Sequence, residues 1–195
     1  MKDEPDALSK LSLLRGLGLA PPAQSPPLET SLGRSPPPGR YAVINPGGRK
    51  ADHRWPAASF GQLAAELKRI HGIPCIIAWG PGERELALEV LQASAGAAKL
   101  AEPTDLEGLA SLFRGAALVV TNDTGPMHLA VACGAPVLAL QLSADADRFS
   151  HPGPRFAGVR GQPESIPTAL DAAARLLALT AQGDREEVAA GSEAS

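Results

Sequence analysis

Short apolar runs alternate with amphipathic stretches along most of the chain. Runs rich in valine, isoleucine and leucine are typical of buried parallel strands, and apolar positions at helical spacing predict helices between them. This alternation predicts an α/β fold with a Rossmann-like, doubly wound parallel sheet. The predicted strands are Tyr41–Asn45, Pro74–Trp79, Lys99–Ala101, Ala117–Thr121, Pro136–Leu140 and Phe156–Arg160.

Capping residues and glycines indicate where the predicted helices begin and end. Ser59-Phe60-Gly61-Gln62 and Thr104-Asp105-Leu106-Glu107 both fit the capping box, in which a serine or threonine begins the helix. Gly72 and Gly115 are predicted to end these two helices. The last helix is predicted over Ser165–Leu179.

The same patterns divide the chain into four predicted parts. Residues 1–19 carry leucines near helical spacing, which predicts a residual helix from a domain junction. Residues 20–39 are predicted to form a proline-rich linker. Residues 40–179 form the Rossmann-like domain. Residues 180–195 are polar, acidic and rich in small side chains, which predicts a disordered tail.

The stretch around Asn122–Gly125 carries the most specific chemistry. It is predicted to be a polar turn between a buried strand and a short helix opened by a proline. The first amides of a helix lack intrahelical partners and carry partial positive charge, so a phosphate fits against the amides of Thr124, Gly125 and Met127. The alternative is structural: Asp123 only caps the helix, and Thr124 is only a turn residue.

The run Asn122–Ala130 reads Asn-Asp-Thr-Gly-Pro-Met-His-Leu-Ala and resembles the signature of the heptosyltransferases, glycosyltransferase family 9. The resemblance extends from about Tyr41 to Arg160. It implies the C-terminal, donor-binding domain of a GT-B glycosyltransferase, in which two Rossmann-like domains face a cleft. It also implies that the chain binds ADP-heptose or a related sugar nucleotide for transfer to the lipopolysaccharide core.

The resemblance gives each residue of this turn a role. Asp123 is expected to hold hydroxyl groups of the donor sugar, and Thr124 and Gly125 are expected to hold the diphosphate. His128 is expected to brace the turn or contact the donor. The alternative for His128 is a half-buried histidine that is satisfied by the protein itself.

A second glycine-containing turn follows the first predicted strand. Gly47 permits close approach of a phosphate, while Lys50 and Arg54 supply positive charge. The segment resembles the family's Asn-Pro-Gly opening and its later Arg-Trp-Pro, although His53 stands where the family commonly has lysine. The alternative is a solvated basic loop without a ligand.

An acidic turn follows the second predicted strand. A carboxylate at this edge can accept hydrogen bonds from ribose hydroxyls, and the family places an acidic residue here for nucleoside recognition. Glu83 is the first choice and Glu85 the reserve; the alternative is a first-turn glutamate that complements the helix dipole. Because the turns at Gly47, Gly82 and Gly125 all follow strands, they are predicted to meet at one edge of the sheet.

Composition excludes several function classes. The formal net charge of −3 argues against a nucleic-acid footprint, and no metal or cofactor is expected. Cys75 and Cys133 lie in apolar elements without metal-ligand spacing, which predicts reduced, buried thiols of a cytoplasmic protein. No apolar run reaches the roughly 20 residues of a membrane span, and the acidic N-terminus does not resemble a secretory signal.

Two hypotheses for the function follow, with a nucleotide-sugar epimerase as a third option. The first is a glycosyltransferase half whose catalytic base lies in an N-terminal domain, so that the chain alone is catalytically incomplete. The second is an inactive nucleotide-sugar-binding or partner subunit. His53, the absent N-terminal half and the loop 141–146, which keeps only Asp145 of the family's Gly-Pro-Thr-Asp-Pro, favour the second. Glu102 would repel a diphosphate if its side chain points inward, which argues against high donor affinity.

The expected partners follow from the same resemblance. They are a sugar nucleotide and either an N-terminal-half protein or a second copy of the chain. Membrane contact is expected to be at most peripheral, through the lipopolysaccharide acceptor.

Overall fold

The protein is described by a computed structural model that covers residues 35–48, 54–142, 151–160 and 165–193, with the side chains of the last helix described through residue 181. The predicted helix within residues 1–19 lies outside the described residues, as does most of the predicted linker.

Six strands form one sheet in which every neighbouring pair is parallel. In chain order they are β1 Ala42–Asn45, β2 Cys75–Ile77, β3 Ala98–Leu100, β4 Leu118–Asn122, β5 Val137–Gln141 and β6 Phe156–Arg160. Their spatial order is β3-β2-β1-β4-β5-β6, so the direction in which strands are added reverses between β1 and β4. The predicted parallel sheet is confirmed.

Five helices are described, and they connect and cover the strands. They are α1 Ala57–His71, α2 Arg84–Ala93, α3 Leu106–Arg114, α4 Gly125–Ala132 and α5 Ile166–Glu193. Among the described residues, no helix has the length and apolar character needed to cross a membrane.

Alternate strand residues face opposite sides of the sheet, and each side has its own core. Ala42 and Ile44 of β1 pack with buried residues of α1, α2 and α5. Tyr41 and Val43 pack with buried residues of α3 and α4. Since helices cover both faces, β1, β4 and β5 are buried along their whole length, which explains their continuous apolar sequences. The sheet is therefore doubly wound, as predicted.

Two predicted helix starts are wrong. The carbonyl of Pro56 accepts a hydrogen bond from the Ser59 amide at 3.0 Å, so α1 is already formed at Ser59, which is buried inside it. Asp105, not Thr104, caps α3: its carboxylate accepts a hydrogen bond of 2.8 Å from the amide three residues later. Asp105 stands directly beside the predicted Thr104, whereas Pro56, which precedes α1, lies three residues before the predicted Ser59.

The last helix is longer than the sequence indicates. It continues through residues 180–193, where composition predicts a disordered tail. Alanine, glutamate and arginine are strong helix formers, so a helix anchored at its start can propagate through such a segment. The anchor consists of fully or almost fully buried residues, among them Ala169, Ala173 and Leu176.

The two cysteines are buried free thiols, as predicted. Burial raises the pKa of Cys75 to about 12 and also raises the pKa of Cys133. Both sulfur atoms therefore stay protonated near neutral pH and behave as small apolar side chains.

Candidate functional site

Three loops meet at the carboxyl edge of the sheet, where they follow β1, β2 and β4. A methyl group added at Gly47 would lie 2.5 Å from the carboxylate carbon of Glu83, and one added at Gly48 would lie 2.8 Å from Thr124 Cγ2. The predicted meeting of these loops is therefore confirmed. It occurs where the strand order reverses, which is where open parallel sheets bind ligands.

Asn122 holds two of these loops together from the buried end of β4. Its Nδ2 donates to the carbonyls of Pro46 at 2.8 Å and Gly47 at 3.2 Å, and its Oδ1 accepts from the amide of Trp55 at 2.9 Å. The sequence predicted a turn residue here, whereas Asn122 is the last residue of the strand and is fully buried. It is a positioning residue that the sequence reasoning missed; the only signal was an amide at the end of an apolar run.

Glu83 joins the loops after β1 and β2. Its Oε1 accepts from the Gly48 amide and its Oε2 from the Gly80 amide, both at 3.0 Å. The close approach that Gly47 permits is thus to this carboxylate, whereas the sequence predicted a phosphate there. The helix-dipole alternative is also incomplete, because Glu83 precedes α2 and its side chain does not cap that helix. Each carboxylate oxygen keeps a further lone pair for a ribose hydroxyl.

Arg54 is tied to the same loop. Its Nε donates to the Gly48 carbonyl at 2.6 Å, and the side chain is half-buried. This contact orients the guanidinium beside the turn that contains Thr124, since Gly48 also packs against that residue. Lys50 and His53, the other predicted contributors of this segment, lie outside the described residues.

The Asp123–Gly125 turn leads directly into α4. Thr124 is the N-cap residue, with φ −147°, so the alternative in which Asp123 caps the helix is wrong. Gly125 is the first helical residue and is exposed, and a methyl group added there would meet nothing within 4 Å. The turn therefore presents the positive end of a helix to open space beside the other two loops.

Met127 has a different role from the one predicted. Its amide already donates to the Thr124 carbonyl at 3.0 Å, and its side chain is fully buried in the core between the sheet and α3 and α4. The amide is therefore committed to the first turn of α4. Of the three amides predicted to hold a phosphate, those of Thr124 and Gly125 are the ones at the helix terminus.

His128 is exposed and contacts a second histidine. Its Nδ1 lies 2.8 Å from Nε2 of His151, which precedes β6, and His151 in turn packs edge-on against Phe156. Burial, and secondarily the charge of His128, lower the pKa of His151. A hydrogen bond between the rings requires one nitrogen to donate and the other to accept, so the pair braces α4 against the strand. His128 is thus exposed, where the alternative predicted a half-buried side chain, but it has a partner within the protein, as that alternative predicted.

Asn45 is a further polar residue at this edge that the sequence reasoning missed. It ends β1, pairs in register with Thr121 and is buried. Its Oδ1 is a buried oxygen without a hydrogen-bond partner in the described part of the chain. Because buried acceptors in folded proteins are generally paired, this oxygen is a candidate acceptor for a water or a ligand group.

Comparison with known proteins decides the family. A family model for glycosyltransferase family 9 (heptosyltransferase) matches residues 23–169. The chain belongs to this family. Among curated proteins, none matches it significantly.

Solved structures of heptosyltransferases have the same fold as this chain. E. coli heptosyltransferase WaaC with ADP has a TM-score of 0.62 at 20% identity, over 82% of this chain and 53% of that one. E. coli ADP-heptose LPS heptosyltransferase II has a TM-score of 0.59 at 20% identity, over 88% and 52%. A family 9 enzyme from Veillonella parvula has a TM-score of 0.56 at 19% identity, over 71% and 46%.

The chain therefore has the α/β fold of the GT-B heptosyltransferases, and it spans about half the length of the heptosyltransferase structures that it matches.

Proposed function

We propose that the chain is the donor-binding, C-terminal half of a heptosyltransferase-like glycosyltransferase. The observation that carries the proposal is the meeting of three loops beside the exposed N-terminus of α4, at the point where the strand order reverses. Family membership and the ADP held by the related WaaC structure support ADP-heptose, or a related sugar nucleotide, as the ligand.

The diphosphate is proposed to lie against the amides of Thr124 and Gly125. The helix terminus supplies partial positive charge there, and the guanidinium of Arg54 adds a full charge from the neighbouring loop. Asp123 is proposed to accept hydrogen bonds from the donor sugar. Glu83 is proposed to face the ribose while it holds the two loop amides.

The proposed reaction is displacement at the anomeric carbon of the donor. The acceptor hydroxyl loses its proton to a base and forms the new glycosidic bond, while the bond to the diphosphate breaks and ADP leaves. The part of this chain is to stabilise negative charge as it accumulates on the departing diphosphate. The base is proposed to lie in the N-terminal domain, across the cleft, and the acceptor is proposed to be the lipopolysaccharide core on the cytoplasmic side of the membrane.

A second candidate function is a nucleotide-sugar-binding subunit without catalysis. Two backbone amides near the site favour this function, because both already donate hydrogen bonds within the protein. The Gly48 amide donates to the Glu83 carboxylate, and the Met127 amide donates to the Thr124 carbonyl. Both amides would otherwise be available to a phosphate. Such a subunit would bind the donor and pair with a separate acceptor domain or a second copy of the chain.

Calorimetry with ADP-heptose, ADP and a UDP-sugar tests the proposal. We expect binding of ADP-heptose and ADP and no binding of the UDP-sugar. The second candidate predicts binding without any transfer when a complementary N-terminal half is added. Absence of binding to all three ligands would contradict both functions, and preference for the UDP-sugar would contradict the assignment of the donor.

A further inference from the structure

A separate concavity lies at the opposite, amino-terminal edge of the sheet. It has a volume of about 440 Å³ and is lined by residues that precede β1, β4, β5 and β6, together with the end of α3 and Thr180 of α5. Cavities that bind small molecules typically measure about 300–1,000 Å³. This space is therefore large enough for a small phosphorylated molecule or a lipid headgroup.

Three arginines line this concavity, which we call the arginine cavity: Arg40, Arg114 and Arg155. They come from three different elements, since Arg40 precedes β1, Arg114 ends α3 and Arg155 precedes β6. No acidic residue is among the described residues that line it. The chain as a whole carries a net charge of −3, whereas the residues that line this concavity carry a positive charge.

Two of the arginines are oriented by the protein. Arg40 Nη2 donates to the Leu177 carbonyl at 2.9 Å and to Thr180 Oγ1 at 3.3 Å, and Arg155 Nη1 donates to the Gly134 carbonyl at 3.0 Å. Within the described part of the chain, neither has a carboxylate partner. A guanidinium has five N–H donors, so these contacts fix each side chain and leave donors for an anion.

The backbone around the arginine cavity offers little to a ligand. The Ala116 amide donates to the Phe113 carbonyl at 3.1 Å, and the Ala117 amide donates to the Tyr41 carbonyl at 2.9 Å. Gly115 allows the Tyr41 side chain to pack directly against the backbone here, since a methyl group at Gly115 would lie 2.5 Å from the Tyr41 hydroxyl. The arginine side chains are therefore the main donors for an anion here, in contrast to the helix terminus at the other edge.

We infer that the arginine cavity is a second anion-binding site, which takes a phosphoryl group independently of the proposed nucleotide-sugar site. Planar guanidinium groups bind phosphate oxygens in pairs. Arg40 and Arg155 keep donors for such a group, and Arg114 adds a third positive charge to the lining. The phosphoryl group can belong to a soluble molecule or to a lipid headgroup, which share this chemistry. The two sources are separated by experiment.

The test follows backbone amide resonances of the ¹⁵N-labelled chain during titration with inorganic pyrophosphate at low salt. We expect shifts at Gly115–Ala117 and Gly134–Ala135. The variant Arg40→Gln/Arg155→Gln should raise the dissociation constant for pyrophosphate, measured at these resonances, by at least about tenfold. The matched control Arg69→Gln/Arg175→Gln removes the same charge from exposed positions on α1 and α5 and should change it less than about twofold.

Two further arms complete the experiment. Arg114→Gln leaves the carbonyl contacts of the other two arginines intact and should also weaken binding. Sedimentation with phosphatidylglycerol and phosphatidylcholine vesicles identifies the source of the phosphoryl group. A lipid headgroup is indicated if the wild type binds phosphatidylglycerol vesicles and only the cavity variants lose this binding. A soluble anion is indicated if the chain binds pyrophosphate but neither kind of vesicle. Absence of shifts at this edge, or equal shifts in the wild type and the cavity variants, would overturn the inference.

Discussion

Asn122 shows how a single side chain can position a whole site. Three hydrogen bonds tie it to Pro46, Gly47 and Trp55, which are 76, 75 and 67 residues away along the chain. A buried amide that satisfies three backbone groups is costly to replace, because each group left unpaired loses about 1–3 kcal/mol. Pro46, Gly47 and Trp55 are therefore held against the end of β4, directly before the Asp123–Gly125 turn, before any ligand arrives.

Asp123→Asn separates recognition of the donor sugar from recognition of the nucleotide. The substitution keeps the size of the side chain and removes its charge, and the N-cap position of α4 belongs to Thr124 rather than to Asp123. We expect ADP-heptose to bind more weakly by about 1–3 kcal/mol, the usual range for a lost charged hydrogen bond, while binding of ADP stays the same. Calorimetry with both ligands checks this, and equal losses for both would refute the role given to Asp123.

His151 gives the protein an acid-sensitive contact. Burial, and then the charge of His128, lower its pKa in the folded protein from the ordinary value of 6.5, so the unfolded chain binds more protons below that pH. Stability should therefore fall as the pH drops through about 6.5. Thermal melts at about pH 7.5 and about pH 5.5 should show a smaller loss of Tm in His151→Gln than in the wild type. An unchanged loss in the variant would contradict this coupling.

At the scale of elements, the contact between α1 and α2 depends on a glycine. A methyl group added at Gly61 would lie 2.9 Å from the Cα atom of Ala93, so the two helices approach too closely for any side chain there. Alanine stabilises a helix interior by up to about 1 kcal/mol relative to glycine. We nevertheless expect Gly61→Ala to destabilise the fold by about 1–3 kcal/mol, because overpacking outweighs propensity.

Urea denaturation measures this change in the free energy of unfolding. Gly125→Ala is the matched control, since the added methyl group meets nothing within 4 Å. The control should be neutral or slightly stabilising. Equal effects of the two substitutions would contradict the close packing of α1 on α2.

The order of elements was predictable because each strand is a local apolar run and each helix a local periodic pattern. β6 was predicted to the residue, and the other strands to within a few residues. The contacts that build the site were not predictable, because Glu83 and Gly48 are 35 residues apart and His128 and His151 are 23 apart. Propensity and periodicity carry no information at such separations.

At the scale of the whole molecule, the chain corresponds to about half of the heptosyltransferases that it resembles in fold. The opposite edges of its sheet have different chemistry. The carboxyl edge offers a helix terminus and a turn with small residues, and the amino edge offers three arginines. The two proposed sites therefore share no residues.

The purified chain should transfer no heptose to a lipopolysaccharide-core acceptor. Transfer requires the acceptor and a base to be held against the anomeric carbon, and the proposed function places both in another domain. A full-length heptosyltransferase assayed under the same conditions is the positive control. Transfer by the 195-residue chain alone would contradict the proposal that another domain holds the acceptor and the base.

The most direct measurement is calorimetry of ADP with the wild type and with Gly125→Val. Gly125 is exposed, its φ lies outside the left-handed region and nothing lies within 4 Å of an added methyl group, so the variant should fold, which thermal melts verify. A branched side chain at this position would occupy the space of the diphosphate at the start of α4. We predict that the wild type binds ADP and that the variant does not. Binding of ADP by a folded Gly125→Val variant with unchanged affinity would contradict the proposed site.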